Sequence, residues 1–133
     1  MPELLYYRLP EDWIVLVGRS DADNDRLSLK VARPNDWWFH VRGMPGSHVV
    51  LRAREHHEPA RRTIEAAAAL AAHHSKQRQA GVTGVSVTRA RNVTKPRGVP
   101  RGTVEVRRES VVKVRPGIGE AERITREEAG EDV

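Results

Sequence analysis

Between Pro59 and about Gln79 the chain carries its one long stretch of helical period, and this sets what the rest must be. Ile64, Ala67, Ala68, Ala71 and Ala72 recur at i, i+3, i+4 spacing and so share one helix face. Pro59 suits the first turn of such a helix, and Gly81 suits the residue just past its end. At a rise of 1.5 Å per residue the helix would span about 30 Å. Its face is thin and made of small residues, which lets it lie close against a sheet.

The strands for that sheet are legible on either side. Leu4–Leu9 and Trp13–Val17 are short apolar runs parted by Pro10-Glu11-Asp12, the pattern of a β-hairpin. Gly18-Arg19-Ser20 closes the second run. Ser20 or Asp21 can then cap a short helix carrying Leu27, Leu29 and Val31, which Pro34-Asn35-Asp36 breaks. Trp37–Arg42 and His48–Arg52 flank the turn Gly43-Met44-Pro45-Gly46. Val82–Thr88, Thr103–Arg107 and Ser110–Val114 are β-branched and alternating. Between the first two of these, the prolines and glycines of residues 94–102 predict an exposed, stiff, basic loop. The expected fold is α+β: a single domain with an antiparallel or mixed sheet, one long Ala-rich helix and one short helix.

With 133 residues the chain fits one domain. It has no cysteine, which excludes disulfides, thiolate metal sites and cysteine nucleophiles. Residues 1–8 lack the basic start and apolar core of a signal peptide, and no apolar run approaches the roughly 18 residues that cross a bilayer. A soluble, cytoplasmic protein with no membrane partner is expected. Net charge is +5, unevenly spread. Residues 117–133 hold six acids and two bases, whereas Lys76–Arg115 holds eleven bases and two acids, Glu105 and Glu109. Residues 1–116 therefore read as the folded domain, and 117–133 as an acidic tail, mobile or loosely docked as a helix. Charge so segregated costs self-repulsion, which favours a site for a polyanion over a merely solvated surface.

The densest cluster of chemistry-bearing residues is Asp36-Trp37-Trp38-Phe39-His40-Val41-Arg42, followed by Ser47-His48 and Arg52. Strand alternation puts Trp38, His40 and Arg42 on one face and Trp37, Phe39 and Val41 on the other. A row of indole, imidazole and guanidinium suits nucleic acid, because bases stack on aromatic rings and Arg takes two phosphate oxygens at once. The competing reading packs Trp38 in the core and uses Asp36 to cap a turn. A phosphodiesterase would set His40 and His48 across a phosphate as base and acid. In a regular hairpin with a four-residue turn, position 40 pairs with 49 and His48 falls on the opposite face, whereas a bulge would reverse that. His56-His57 and His73-His74 lack metal-ligand spacing and read as surface histidines. Ser75-Lys76 either complements the negative end of the helix or opens a basic surface continued by Arg78, Lys95 and Arg97. Lys95-Pro96-Arg97-Gly98 does not follow the order of a phosphate-binding loop of nucleotide hydrolases, and no cofactor is expected.

Taken in order, these pieces resemble a known family. They are Gly18-Arg19 with Asn24-Asp25, then Asp36-x-Trp38-Phe39-His40-x-Arg42, then Pro45-Gly46-Ser47-His48-Val49-Val50 with Arg52. An Ala-rich helix ending in Ser75-Lys76 follows, and Val93-x-Lys95-Pro96-Arg97-Gly98 with Gly102 completes the set. Over about residues 5–116 the chain resembles the NFACT-R domain, the RNA-binding module of NFACT proteins in ribosome-associated quality control. The resemblance implies binding to structured RNA such as tRNA or rRNA, in the setting of translation or the ribosome. Carried over by position, it points to Arg19, His40, Arg42, His48, Lys76, Lys95 and Arg97 as RNA-facing; the cluster adds Asp36, Trp38 and Arg52, and the helix end adds Ser75. It reaches this module alone, so a stand-alone form is expected, and the tail synthesis that depends on other NFACT parts is not implied. The strand Gly84-Val85-Ser86-Val87 departs from the family's more tyrosine-bearing pattern.

The leading expectation is thus an RNA-binding module and not an enzyme. Its rivals are an RNA-processing or RNA-modifying enzyme using His40 and His48, an adaptor whose basic face meets an acidic protein, and a DNA binder. In the adaptor reading the acidic tail mimics RNA and inhibits in cis.

Overall fold

In a computed structural model describing residues 4–76 and 78–131, the chain begins with the hairpin the sequence predicts. Strands β1 (Leu4–Leu9) and β2 (Trp13–Gly18) pair antiparallel with Leu9 opposite Trp13. Ser20 caps helix α1 (Asp21–Arg26), its Oγ accepting from the Asp23 N–H at 3.1 Å. A wider π-type turn, Leu27–Val31, continues the helix and buries Leu27. Strands β3 (Trp37–Val41) and β4 (Val49–Leu51) follow, then helix α2 (Arg61–His73). Next come β5 (Thr83–Arg89), a short pair β6 (Val93–Thr94) and β7 (Glu105–Val106), then β8 (Ser110–Val114) and β9 (Glu122–Ile124). Seven strands make one sheet in the order β8-β5-β3-β4-β2-β1-β9, and each of its pairings is antiparallel. No helix among the described residues is long and apolar enough to cross a membrane.

Strand alternation divides the core in two. On one face Val15, Val17, Phe39, Val41, Val49, Leu51 and Val85 pack under Ala67, Ala68, Leu70, Ala71 and Ala72 of α2. The alanine face permits the close approach, while Phe39 and Leu70 carry much of the burial, about 1.5–3 kcal/mol for each such side chain. On the other face Leu4, Tyr6, Leu16, Trp38, Val50 and Ile124 pack against Leu27 and Val93. The sheet is therefore buried on both sides, with α2 on one and the α1 segment plus the β6 region on the other.

Two expectations need correction. The Ala-rich helix is thirteen residues, about 20 Å, and not the 30 Å read from its composition. Its end is set by tertiary contact. His74 leaves helical geometry, Ser75 Oγ donates to the Ala72 carbonyl at 2.6 Å, and Ser75 bridges to Gly46 of the β3–β4 connection. Pro59 and Gly81 both lie outside the helix. Nor is the acidic C-terminal stretch a detached tail through Glu131. It supplies β9 on the open edge of β1, where Ile124 completes the apolar face and Glu122 meets Arg8 at 3.2 Å.

Candidate nucleic-acid interface

Four connections converge at one end of the sheet. These are the turn from β2 into α1, residues 42–48 between β3 and β4, the turn after α2, and the loop 95–103. The antiparallel pairing of β2, β4, β3 and β5 brings the first two together, and backbone bonds lock them. Gly18 N–H donates to the His48 carbonyl at 3.0 Å, and Ser47 N–H to the His74 carbonyl at 3.1 Å. Gly18 is required here: a Cβ would lie 2.1 Å from Asn24 Oδ1, the atom that accepts the His48 backbone N–H at 3.0 Å. The basic loop is fastened by Gly102, whose N–H donates to Asp25 Oδ1 at 3.0 Å. Gly102 has φ +82°, and a Cβ on it would fall 2.7 Å from Asp21 Oδ1.

Beneath this rim lies a buried polar relay. Trp38 Nε1–H donates to Ser28 Oγ at 2.8 Å, and Ser28 Oγ is 2.7 Å from His48 Nδ1. With one hydrogen and two lone pairs, Ser28 Oγ joins the Trp38 indole to the His48 imidazole. Burial, helped by the neighbouring His40, pushes the His48 pKa down to about 4, so the ring is neutral at physiological pH. Burial lowers the His40 pKa as well.

The histidine register departs from expectation. Phe39 pairs with Val49, so His40 and His48 share a face, their rings edge-to-face with centroids 5.3 Å apart. The connection is not a four-residue turn: β4 begins only at Val49, and Gly46 is held out of the ladder by Ser75. His40 also stacks on Trp38, with centroids 6.0 Å apart and 23° between planes.

The remaining sequence candidates fall into three groups. Arg19, Arg42, Lys76 and Arg97 are exposed around the convergence, together with Arg78 and Arg101. Arg42, Lys76, Arg97 and Arg101 make no ion pair among the described residues. Ser75 and Lys95 are at the same end but hold the fold. Ser75 closes α2, and Lys95 Nζ reaches Asp25 at 3.2 Å and the carbonyls of Pro100 and Thr103 at 2.7 and 3.0 Å. Trp38, Asp36 and Arg52 are buried, at 2%, 1% and 8% exposure. Trp38 is core, as the competing reading had it. Asp36 and Arg52 sit at the far end of β3 and β4, where Arg52 Nη1 donates to Asp36 Oδ2 at 2.7 Å and Arg52 Nε to Glu131 Oε2 at 3.0 Å. Burial alone would lower the Arg52 pKa, but the bonds to Glu131 and Asp36 outweigh it and the net shift is upward. Asp36 also accepts the backbone N–H groups of Arg33 and Ala53, at 2.9 and 2.8 Å.

Spacing alone missed Ser28, and it missed the clamp made by Asp25. Neither has a local signature, because each finds its partner across long sequence separation. Beside the histidines lies a cleft of about 420 Å³, walled by Trp38, His40, His48, Ser86, Thr103 and Glu109, with Arg42 at its rim. Among the described residues no group of three or more His, Asp or Glu is placed to hold a metal ion.

Residues 3–108 match the family described as the NFACT protein RNA binding domain. The chain is 36% identical over 115 residues to the Rqc2 homolog RqcH of Bacillus subtilis, covering 86% of this chain and 20% of that protein. It is 36% identical over 103 residues to the Rqc2 homolog RqcH of Streptococcus suis, covering 77% and 18%. The chain thus spans about a fifth of the length of these curated relatives. Its fold is similar to the C-terminal part of the fibronectin/fibrinogen-binding protein of Streptococcus suis, with a TM-score of 0.82 and 32% identity. That similarity covers 88% of this chain and 47% of the other. By the extent of the family match and by the motifs that build this end of its sheet, the chain belongs to the NFACT RNA-binding domain family.

Proposed function

We propose that this chain binds structured RNA of the translation apparatus, tRNA or rRNA, in a role tied to ribosome-associated quality control. One observation carries the reading. Exposed cations from four separate connections lie at a single end of the sheet, and three of them, Arg42, Arg97 and Arg101, meet no internal anion among the described residues. Each is free to take phosphate, whereas Lys95 orders the loop that presents Arg97 and Arg101. Membership of the family and likeness to the RqcH proteins support RNA as the polyanion and the ribosome as the setting.

The proximity of His40 and His48 favours a second reading, acid–base chemistry on RNA. It is the weaker one. General acid catalysis needs a protonated imidazole, burial disfavours protonation of both rings, and Nδ1 of His48 is already engaged by Ser28.

The test is equilibrium binding of the full chain to tRNA, to large-subunit rRNA fragments and to matched duplex DNA across a salt series. Binding to RNA in preference to DNA, falling steeply with salt, is the expected result. Equal affinity for the two polymers, or none for RNA, would overturn the reading.

A further inference from the structure

The cleft beside the histidines is chemically unlike the rim around it. It has the volume of a small-ligand site, at about 420 Å³. The rim supplies guanidinium groups. The cleft wall supplies two imidazoles, the hydroxyls of Ser86 and Thr103, and the carboxylate of Glu109. A phosphate inside would face Glu109, and burial disfavours the protonated rings that would attract it. The edge of a nucleobase presents donors and acceptors without charge, and this wall answers both. Glu109 and the hydroxyls accept from exocyclic amines and ring N–H groups, while the hydroxyls donate to ring nitrogens and carbonyls. The cleft also has an aromatic wall. Trp38 is buried, but His40 stacks on it and is itself partly exposed, so the flat ring that reaches the cleft is backed by an indole.

We infer that this cleft takes the base of a single unpaired nucleotide, stacked on His40, while Arg42 at the rim holds the adjoining phosphate. The inference rests on the RNA-binding reading and names what that site selects: RNA with an extruded or unpaired nucleotide, over an unbroken duplex. An unpaired base is already free of its partner, so little unstacking opposes its entry. The buried relay of Trp38, Ser28 and His48 fixes the cleft floor before RNA arrives, so ordering the site adds little cost to binding.

Three RNA probes test this with the full chain: a blunt duplex, the same duplex with one bulged adenosine, and the same bulge made abasic. The bulged duplex is expected to bind about tenfold more tightly than the blunt one, within the range of base stacking on an aromatic side chain. The abasic bulge should lose that gain. H40A should lose it too, its ratio of bulged to blunt affinity falling to about one. T103V, an exposed change on the opposite wall that cannot disturb the core, should reduce the gain in part. Equal binding of the abasic and intact bulges would overturn the inference, as would full discrimination retained by both variants. In either case, salt-dependent binding of the blunt duplex would leave the RNA-binding reading standing. No binding to any of the three would remove both.

Discussion

Lys95 Nζ lies 3.2 Å from Asp25 Oδ2, and both side chains are mostly shielded from solvent. The lysine at the start of the basic loop is therefore a clamp that ties the loop to α1. This yields a prediction with an unusual sign. Removing an acid from a basic surface should strengthen RNA binding on electrostatic grounds alone. Losing the clamp should instead loosen residues 95–103 by about 1 kcal/mol and weaken binding. D25N is expected to weaken it. Amide exchange in the loop, rising about fivefold, checks the cause; tighter binding with unchanged exchange would contradict it.

Ser28 joins two buried groups, the Trp38 indole N–H and the His48 ring. S28A strands the Trp38 N–H and His48 Nδ1 together and should cost about 2–4 kcal/mol, read as a lower denaturation midpoint at unchanged slope.

Stability should depend on acid through the same histidine. The pKa values of His48 and His74 are both lowered to about 4 in the fold, from an ordinary value near 6.5. The unfolded chain thus binds protons first as pH falls. The stabilising contribution is complete above about pH 6.5 and is lost progressively between there and pH 4. For His48, which is 2% exposed, the loss is on the order of 3 kcal/mol. Urea unfolding at pH 7.5 and 4.5 measures it, and H48Q should flatten the difference.

The C-terminal stretch offers a fourth prediction. Glu131 and Asp36 both hold the Arg52 guanidinium, and β9 closes the edge of β1. Deleting Gly117–Val133 leaves Arg52 half-paired and Ile124 missing from the core. The melting temperature should fall, by roughly 5–15 °C for a loss of about 2–3 kcal/mol. RNA affinity measured well below that temperature should be unchanged. An autoinhibitory tail predicts tighter binding instead.

Strand positions were legible in the sequence because alternation carries them: β1, β2 and β8 stand almost where Leu4–Leu9, Trp13–Val17 and Ser110–Val114 predict. The two faces of β3 were legible for the same reason. What failed was decided by contacts distant in sequence. The end of α2 depends on Gly46, the histidine register on a connection longer than a simple turn, and β9 on an edge that only the finished sheet presents. Within the candidate site, residue type found the right neighbourhood but not each residue's task. Lys95, Arg52 and Arg97 look alike as cations on paper, and the anions that bind the first two lie 70, 16 and 79 positions away.

The central claim is that cations at one end of the sheet bind RNA, and location can be separated from net charge. R42A/R97A/R101A and R33A/R61A/R62A remove the same charge from opposite ends. The salt dependence of tRNA binding, measured for both triple variants and for the unaltered chain, decides the matter. The account predicts that the first variant shallows the slope of log affinity against log salt by about two to three while the second leaves it nearly unchanged. Equal shallowing by both would mean that RNA is held by net charge alone, which would contradict the account.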